Sequence, residues 1–341
     1  MKIRNRNTTD QLNKAKSMDN SIKQILSNYF IGSISEIRRI ESGHINDTYL
    51  VTGDVSYICQ KLKAGLFEGS SRILEENYRK LCLAYKTVHE DIPDWNIPEW
   101  LFCKDGGYFY RDEDENLWRV YRYIDGEVKT RLEGEAQAFC VGEGLARLHR
   151  ILSAFPGMPV SAIPHYRDLS WYYAQYKTLD GKDAERNRVL DHLIMENVDD
   201  FLNLKLPADH GIHGDAKLSN AIFSKEGRII SFIDMDTLMP GNILDDLADC
   251  IRSCCMIDDK WDTALWQGIL AGYQSLHGTL TEEKLSLLPC LVRKNCFELG
   301  LRYYTDALSG NTYFEETHPG RNLGKAVRYL AVNGVNGDGS F

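Results

Sequence analysis

Three polar residues between positions 213 and 236 have the types and the spacing that phosphoryl transfer requires. Asp215 follows His213 and Gly214, Asn220 comes next, and Asp234 closes a short apolar stretch further along. Such a transfer needs a base for the attacking hydroxyl and metal ions that neutralise phosphate charge. Asp215 can be that base, and the side-chain oxygens of Asn220 and Asp234 are ligands that Mg²⁺ prefers. The sequence therefore predicts a phosphotransferase site.

The surrounding pattern predicts strands in the first third of the chain and mostly helices after it. Short runs rich in β-branched or aromatic residues are separated by glycine, whereas later segments repeat apolar residues at helical spacing. The predicted strands are Ser35–Ile40, Thr48–Thr52, Tyr57–Leu62, Trp118–Ile124, Ala221–Phe223 and Ile229–Ile233, and the predicted helices include Ser71–Val88, Ala136–Leu152, Ser170–Lys177 and Arg186–Leu204. This order indicates an α+β protein with two unlike lobes.

Three regions follow from this pattern. Residues 1–20 are polar and basic, cannot bury much apolar surface and are expected to form a mobile tail. Residues 21–125 form the β-rich N-lobe, and residues 126–341 form the larger helical C-lobe with the catalytic loop. The Asp125-Gly126 turn is the expected hinge.

The charge balance excludes two classes of partner. With 40 basic and 49 acidic residues, the net charge is −9. A protein that wraps nucleic acid or docks on anionic lipid through bulk charge needs the opposite sign. We therefore expect a small-molecule substrate, no nucleic acid and no membrane partner.

The first residues and the cysteines predict a cytoplasmic protein. The N-terminal segment has no apolar core, so it does not match a secretory signal peptide. The nine cysteines include no CxxC pair, and most lie in apolar segments, which is typical of a reducing compartment.

The motif His213-Gly214-Asp215 with Asn220, followed by an apolar residue and Asp234, resembles the signature of the aminoglycoside phosphotransferase and choline kinase superfamily, which has a bilobal protein-kinase-like fold. Three longer strings, Gly43–Tyr49, Ile233–Gly241 and Thr305–Phe314, look like the bacterial N-acetylhexosamine 1-kinases. The similarity runs over nearly the whole chain. It implies an ATP-dependent, Mg²⁺-dependent sugar kinase.

The resemblance also implies a role for individual residues. It makes Asp215 the catalytic base and Asn220 and Asp234 the metal ligands, and it leaves open whether Asp236 and Lys217 take part directly. In the N-lobe it assigns the nucleotide to Lys61, Glu76 and Gly43. The implied sugar-binding residues are His44, Asp47, Arg302 and Tyr313.

Two nearby residues are expected to be structural. His213 packs and holds the loop backbone. Asp249 is expected to begin a helix, Asp249–Cys255. The superfamily uses an aspartate near here to hold the catalytic loop, but an N-cap explains an aspartate equally well.

The reaction implied is phosphorylation of the anomeric hydroxyl of an N-acetylhexosamine to give the sugar 1-phosphate. Two alternatives remain open. The acceptor could instead be an aminoglycoside, choline, homoserine or a methylthio-sugar, or the chain could be a pseudokinase-like nucleotide-binding module. The single glycine in the loop Glu41–Asn46 disfavours a protein substrate.

Overall fold

The computed structural model describes residues 20–40, 46–63, 65–67, 69–179, 186–257, 260–314 and 316–332. The expected tail lies outside these ranges except for residue 20, and so do Gly43 and His44. Among the described helices, none is long and apolar enough to cross a membrane.

A five-stranded antiparallel sheet dominates the first compact unit, in the order β1-β2-β3-β5-β4. Its strands are β1 (Ile34–Ile40), β2 (Asp47–Gly53), β3 (Tyr57–Lys61), β4 (Phe109–Arg111) and β5 (Leu117–Arg122). Strand alternation places Tyr49, Val51 and Cys59 in one buried cluster with Trp118 and with Leu26 of α1 (residues 20–26). The strands predicted for this region are confirmed, because the observed bounds differ by at most two residues at each end.

The second compact unit is mainly helical. Its helices are α2 (Ser71–Val88), α3 (Glu135–Ser153), α4 (Leu169–Lys177), α5 (Arg188–Asn203), α6 (Ile243–Cys255), α7 (Thr263–His277), α8 (Glu282–Leu308) and α9 (Arg321–Leu330), of which α2 begins in the first unit. A three-stranded sheet consists of β6 (Glu127–Val128), β8 (Ala221–Phe223) and β9 (Ile229–Phe232). Two further sheets have two strands each: β7 (His210–Ile212) pairs with β10 (Met239–Gly241), and β11 (Met256–Ile257) pairs with β12 (Lys260–Trp261). The predicted α+β class, with a small β-rich part and a larger helical part, is confirmed.

The division between the units differs in one stretch from the expected lobes. The first unit holds Met1–Glu75 and Pro98–Ile124, and the second holds Glu76–Ile97 and Asp125–Phe341. Residues 76–97 belong with the helical unit because Leu81, Ala84, Ile92 and Trp95 are buried in its core.

The start of α6 corrects the prediction for Asp249. Asn242 caps this helix, with its side chain accepting from the backbone N–H of Leu244, and Asp245 completes a capping box. The helix therefore begins at Ile243, and Asp249 lies in its interior. The prediction that Asp249 begins a helix is wrong, because Asn242 already caps the helix six residues before Ala248 and the helix continues through Asp249.

Candidate active site

The loop from His213 to Asn220 connects β7 to β8 and is held by its own histidine. His213 is completely buried. Its Nδ1 lies 3.2 Å from the backbone nitrogen of Asp215, and its Nε2 lies 3.0 Å from the carbonyl oxygen of Ile233. A backbone N–H only donates and a carbonyl only accepts, so the imidazole proton is on Nε2. His213 thus links the loop to the end of β9, which is the packing role expected of it.

Asp246, in the second turn of α6, anchors the same loop. Its carboxylate accepts hydrogen bonds from the backbone N–H of His213 at 2.6 Å and of Gly214 at 2.8 Å. It also lies 3.1 Å from His149, whose other ring nitrogen is 2.8 Å from the hydroxyl of Tyr273. Burial would raise the pKa of Asp246, but the hydrogen bond and charge of His149 and the N–H of His213 outweigh it and lower that pKa.

Asp249, one turn later, has a different set of partners. Its buried carboxylate lies 2.8 Å from Nε of Arg252 and 3.7 Å from Nη1 of Arg167. Burial opposes the charge, yet these two guanidinium groups lower the pKa of Asp249. Sequence reasoning looked for the loop anchor near Asp249 and missed Asp246, which performs that role.

The carboxylate of Asp215 is fixed by two neighbours from its own loop. Nζ of Lys217 lies 2.6 Å from its Oδ2, and the amide nitrogen of Asn220 donates to the same oxygen at 3.2 Å. Asn220 also donates to the carbonyl oxygen of Asp215 at 2.9 Å. Burial disfavours the charged form of Lys217, but the carboxylates of Asp215 and Asp234 outweigh it and raise the pKa of Lys217. Asp215, Lys217 and Asn220 therefore form one hydrogen-bonded group.

Asp234 lies two residues after the end of β9 and has an unusual backbone conformation. Its φ of 67° and ψ of 48° are left-handed, a region that aspartate tolerates better than most residues but at some energetic cost. The backbone N–H of Ile233, just before it, donates to the carbonyl oxygen of Asn220 at 2.8 Å. This hydrogen bond fixes the start of the Asp234 turn relative to the loop that carries Asn220. Asp236 is buried in the following 3₁₀ turn.

The chemistry of these side chains fits a magnesium ion. The amide nitrogen of Asn220 is directed at Asp215, so its oxygen is the end available to a cation. Asp234 adds a carboxylate, and the charge that it exerts on Lys217 shows that it lies in the same region. Mg²⁺ commonly takes one or two protein oxygens together with substrate phosphates, so this pair suffices. Within the described ranges there is no cluster of three or more His, Cys, Asp or Glu side chains that would suit another metal.

Arg302 and Tyr313, the two candidate sugar-binding residues of the helical unit, are in contact. Nη2 of Arg302 donates to the hydroxyl of Tyr313 at 3.2 Å. The guanidinium carbon also lies 4.8 Å from the ring centre of Tyr172, 5.4 Å from that of Tyr313 and 5.6 Å from that of Phe314. These rings surround a cation that carries its charge into a largely aromatic environment.

Asp306 holds Tyr313 in place. Its Oδ1 accepts from the backbone N–H of Thr312 at 2.9 Å and of Tyr313 at 2.7 Å. Its Oδ2 accepts from the backbone N–H of Phe314 at 3.0 Å and from the side chain of Asn322 at 3.3 Å. A buried carboxylate thus organises the whole turn after α8, and sequence reasoning gave no role to it.

Tyr166 connects the arginine cluster to the catalytic loop. A methyl group added to Gly214 would lie 3.4 Å from ring carbon Cε1 of Tyr166, and the guanidinium carbon of Arg302 lies 6.0 Å from the ring centre. Burial, and then the charge of Asp215, raise the pKa of Tyr166 well above its ordinary value. The flanking residues His165 and Arg167 both have positive φ. Such local strain concentrates at functional sites. Sequence reasoning missed Tyr166, since nothing in its neighbourhood marks it.

The candidate residues of the first unit occupy neighbouring strands. Asp47 begins β2, pairs in register with Lys61 at the end of β3, and forms an ion pair with Arg39 at 2.6 Å. Nζ of Lys61 lies 5.9 Å from the ring centre of Trp118. Glu76 belongs to the second unit, where it pairs with Lys80 at 2.7 Å.

Comparison with known proteins identifies the class of this chain. Residues 36–279 match the model of the phosphotransferase enzyme family abbreviated APH, so the chain belongs to that family. Members of this family are small-molecule kinases, and this chain is therefore one of them. The protein-kinase-like fold expected from the sequence is confirmed.

Solved structures of related fold cover nearly the whole chain. A microcompartment-associated aminopropanol kinase has a TM-score of 0.67 at 18% identity, covering 94% of each chain. Amicoumacin kinase hAmiN, solved in complex with AMP-PNP, Ca²⁺ and Ami, has a TM-score of 0.63 at 13% identity, again covering 94% of each chain. The GDP and kanamycin complex of APH(2'')-IIia has a TM-score of 0.64 at 15% identity, covering 91% of this chain and 97% of that one. At these identities the likeness supports the fold alone.

Proposed function

We propose that this protein transfers the γ-phosphoryl group of ATP to the anomeric hydroxyl of an N-acetylhexosamine. Asp215 takes the proton of the hydroxyl, whose oxygen forms a bond to the γ-phosphorus while the bond from that phosphorus to the β,γ-bridging oxygen breaks. The products are a sugar 1-phosphate and ADP. An anomeric hydroxyl is more acidic than the other sugar hydroxyls, so a carboxylate base is adequate.

The loop geometry supports the phosphoryl-transfer step. Lys217 and Asn220 both contact Oδ2 of Asp215, which holds the carboxylate in one orientation. Asn220 and Asp234 would hold Mg²⁺, which when bound supplies neutralisation of phosphate charge. For the nucleotide we retain Lys61, Glu76 and Gly43.

The observation that carries the acceptor proposal is the arginine enclosed by aromatic rings beside the catalytic loop. Arg302 can donate hydrogen bonds to sugar oxygens, and the rings of Tyr313 and Tyr172 offer surfaces for the apolar face of a sugar. The guanidinium group of Arg302 repels an ammonium group, so it disfavours amine-bearing acceptors. His44 and Asp47 remain proposed sugar-binding residues on the strength of the sequence resemblance.

The leading alternative is a kinase of the same superfamily that acts on an aminoglycoside, choline, homoserine or a methylthio-sugar. An aminoglycoside acceptor has the support of a structural neighbour solved with kanamycin. A nucleotide-binding module without catalysis is the alternative of another class, and the presence of Asp215, Asn220 and Asp234 opposes it.

A single assay separates these functions. ADP release would be measured with ATP and Mg²⁺ against N-acetylhexosamines, other free hexoses, kanamycin, choline, homoserine, a methylthio-sugar and 1-amino-2-propanol. We expect the highest kcat/KM with an N-acetylhexosamine and a sugar 1-phosphate by phosphorus NMR. Formation of a sugar 6-phosphate, or activity only on the amine-bearing acceptors, would refute the proposed phosphorylation of an anomeric hydroxyl. If the protein binds ATP tightly but phosphorylates none of these acceptors, the result would favour the nucleotide-binding module without catalysis.

A further inference from the structure

One side of α8 carries a row of four polar side chains, of which Asn295, Glu298 and Asp306 are buried and Arg302 is half-buried. Asn295, Glu298, Arg302 and Asp306 recur at intervals of three or four residues, so they lie along one side of the helix. Polar groups in such a position normally have hydrogen-bond partners inside the protein.

Three of the four have such partners. Asn295 accepts from Arg167 at 2.9 Å, Arg302 donates to Tyr313 at 3.2 Å, and Asp306 accepts from the turn after α8. Glu298 differs. Its side chain belongs to a residue only 4% exposed, yet it forms no hydrogen bond and no ion pair with any residue that the structure describes. Neither carboxylate oxygen of Glu298 is among the fully enclosed side-chain atoms that lack a partner, so the carboxylate reaches accessible space in which a ligand or water can donate a hydrogen bond to it.

The charges near Glu298 indicate the kind of ligand. Glu298 raises the pKa of Arg167 and of Arg302 against the opposing effect of burial, and it acts in the same direction on Lys294. Three cationic side chains therefore lie close enough to Glu298 to interact with its carboxylate. They oppose the approach of a second cation, so the complementary ligand group is a neutral donor such as a hydroxyl or an amide N–H.

The position of Glu298 links it to the proposed acceptor site. Glu298 lies one helical turn before Arg302 and acts electrostatically on Tyr172, which packs against that arginine. Arg302 in turn lies near Tyr166, next to the catalytic loop. We propose that Glu298 is a specificity-determining residue that accepts a hydrogen bond from a hydroxyl or amide N–H of the acceptor. This inference rests on the proposed sugar-kinase function.

The test compares Glu298→Gln with a matched control, Glu283→Gln, which changes an exposed glutamate in the first turn of the same helix. Removing one charged hydrogen bond to the acceptor should raise its KM roughly tenfold or more while the KM for ATP stays within about twofold. The control should change neither constant. Melting temperatures and calorimetric binding of the acceptor would show whether the variant remains folded and where affinity is lost.

A set of deoxy and deacetamido sugars then identifies the contacted group. The wild type should phosphorylate the analogue that lacks this group much less well than the parent sugar. Glu298→Gln should show little difference between the two sugars, because the hydrogen bond is already absent in that variant. An unchanged acceptor KM in a folded variant would overturn the inference and leave Glu298 solvated by water only. An equal rise in both KM values would also overturn it, since that indicates a structural role.

The proposed sugar-kinase function and the proposed role of Glu298 can each be refuted without the other. The wild-type acceptor panel decides whether the substrate is a neutral sugar. The ratio of KM values between wild type and Glu298→Gln, measured on whichever acceptor the wild type phosphorylates, decides whether Glu298 contacts it.

Discussion

The two oxygens of the Asp215 carboxylate have different surroundings. Within the described part of the chain, the hydrogen bonds from Lys217 and Asn220 both end on Oδ2. This arrangement fixes the plane of the carboxylate and makes Oδ1 the oxygen suited to take the acceptor proton.

Asp215→Asn tests this assignment at the level of one atom. The amide keeps the size of the side chain but cannot take a proton, so kcat should fall by about a hundredfold or more. ATP affinity and the melting temperature should change little. Steady-state kinetics and nucleotide titration check this, with Asp199→Asn on the exposed side of α5 as control. A folded variant that keeps most of its activity would exclude Asp215 as the base.

The sequence predicts residues that act through short-range geometry and misses those that act through distant contacts. Asp215, Asn220 and Asp234 lie in one short stretch, so their types and spacing are visible in the chain. Tyr166 and Glu298 are far from that stretch in sequence. Only the packing of the second unit reveals that Tyr166 lies next to the catalytic loop and that Glu298 has no hydrogen-bond or ion-pair partner among the described residues.

At the scale of elements, the catalytic loop is held between the end of β9 and the second turn of α6. Asp246 binds two consecutive backbone N–H groups of the loop, while Asp249 on the next turn binds arginines. The sequence could indicate that an acidic helix would anchor the loop. It could not indicate which aspartate, because the helix start depends on the capping box at Asn242.

Gly214 should be essential to this anchoring. Its φ is +80°, and a methyl group placed on it would lie 2.6 Å from the carbonyl oxygen of Thr237. Gly227, in the turn between β8 and β9, has a φ of +81° with open space around it. Both Gly→Ala changes carry the left-handed penalty of about 1–2 kcal/mol, but only Gly214→Ala adds a backbone clash.

We therefore expect Gly227→Ala to lower the melting temperature slightly with normal kcat, and Gly214→Ala to lower both. Comparing the melting temperatures and kcat values of the two variants separates the effect of the clash from that of the left-handed backbone. Equal behaviour of the pair would show that the loop tolerates a side chain at position 214.

At the scale of the whole molecule, sequence patterns indicated two unlike parts but not every segment's partner. Residues 76–97 carry an amphipathic helix and lie before the expected hinge at Asp125-Gly126, so the sequence assigned them to the first lobe. Their apolar side chains are instead buried in the core of the helical unit. Periodicity shows that a face is buried, whereas the element that covers it is decided by tertiary packing.

The last prediction concerns how nucleotide and metal stabilise the whole protein. A ligand that binds only the folded state at about 100 times its Kd adds about 2.7 kcal/mol, which raises the melting temperature measurably. We expect a non-hydrolysable ATP analogue with Mg²⁺ to raise it by several degrees, and EDTA to remove most of that gain. Asp234→Asn keeps a residue that tolerates the left-handed backbone but removes a charged Mg²⁺ ligand. It should abolish the metal-dependent part of the shift and retain the shift given by sugar alone. Asp199→Asn is again the control, and equal Mg²⁺ dependence in Asp234→Asn and wild type would exclude Asp234 as a metal ligand.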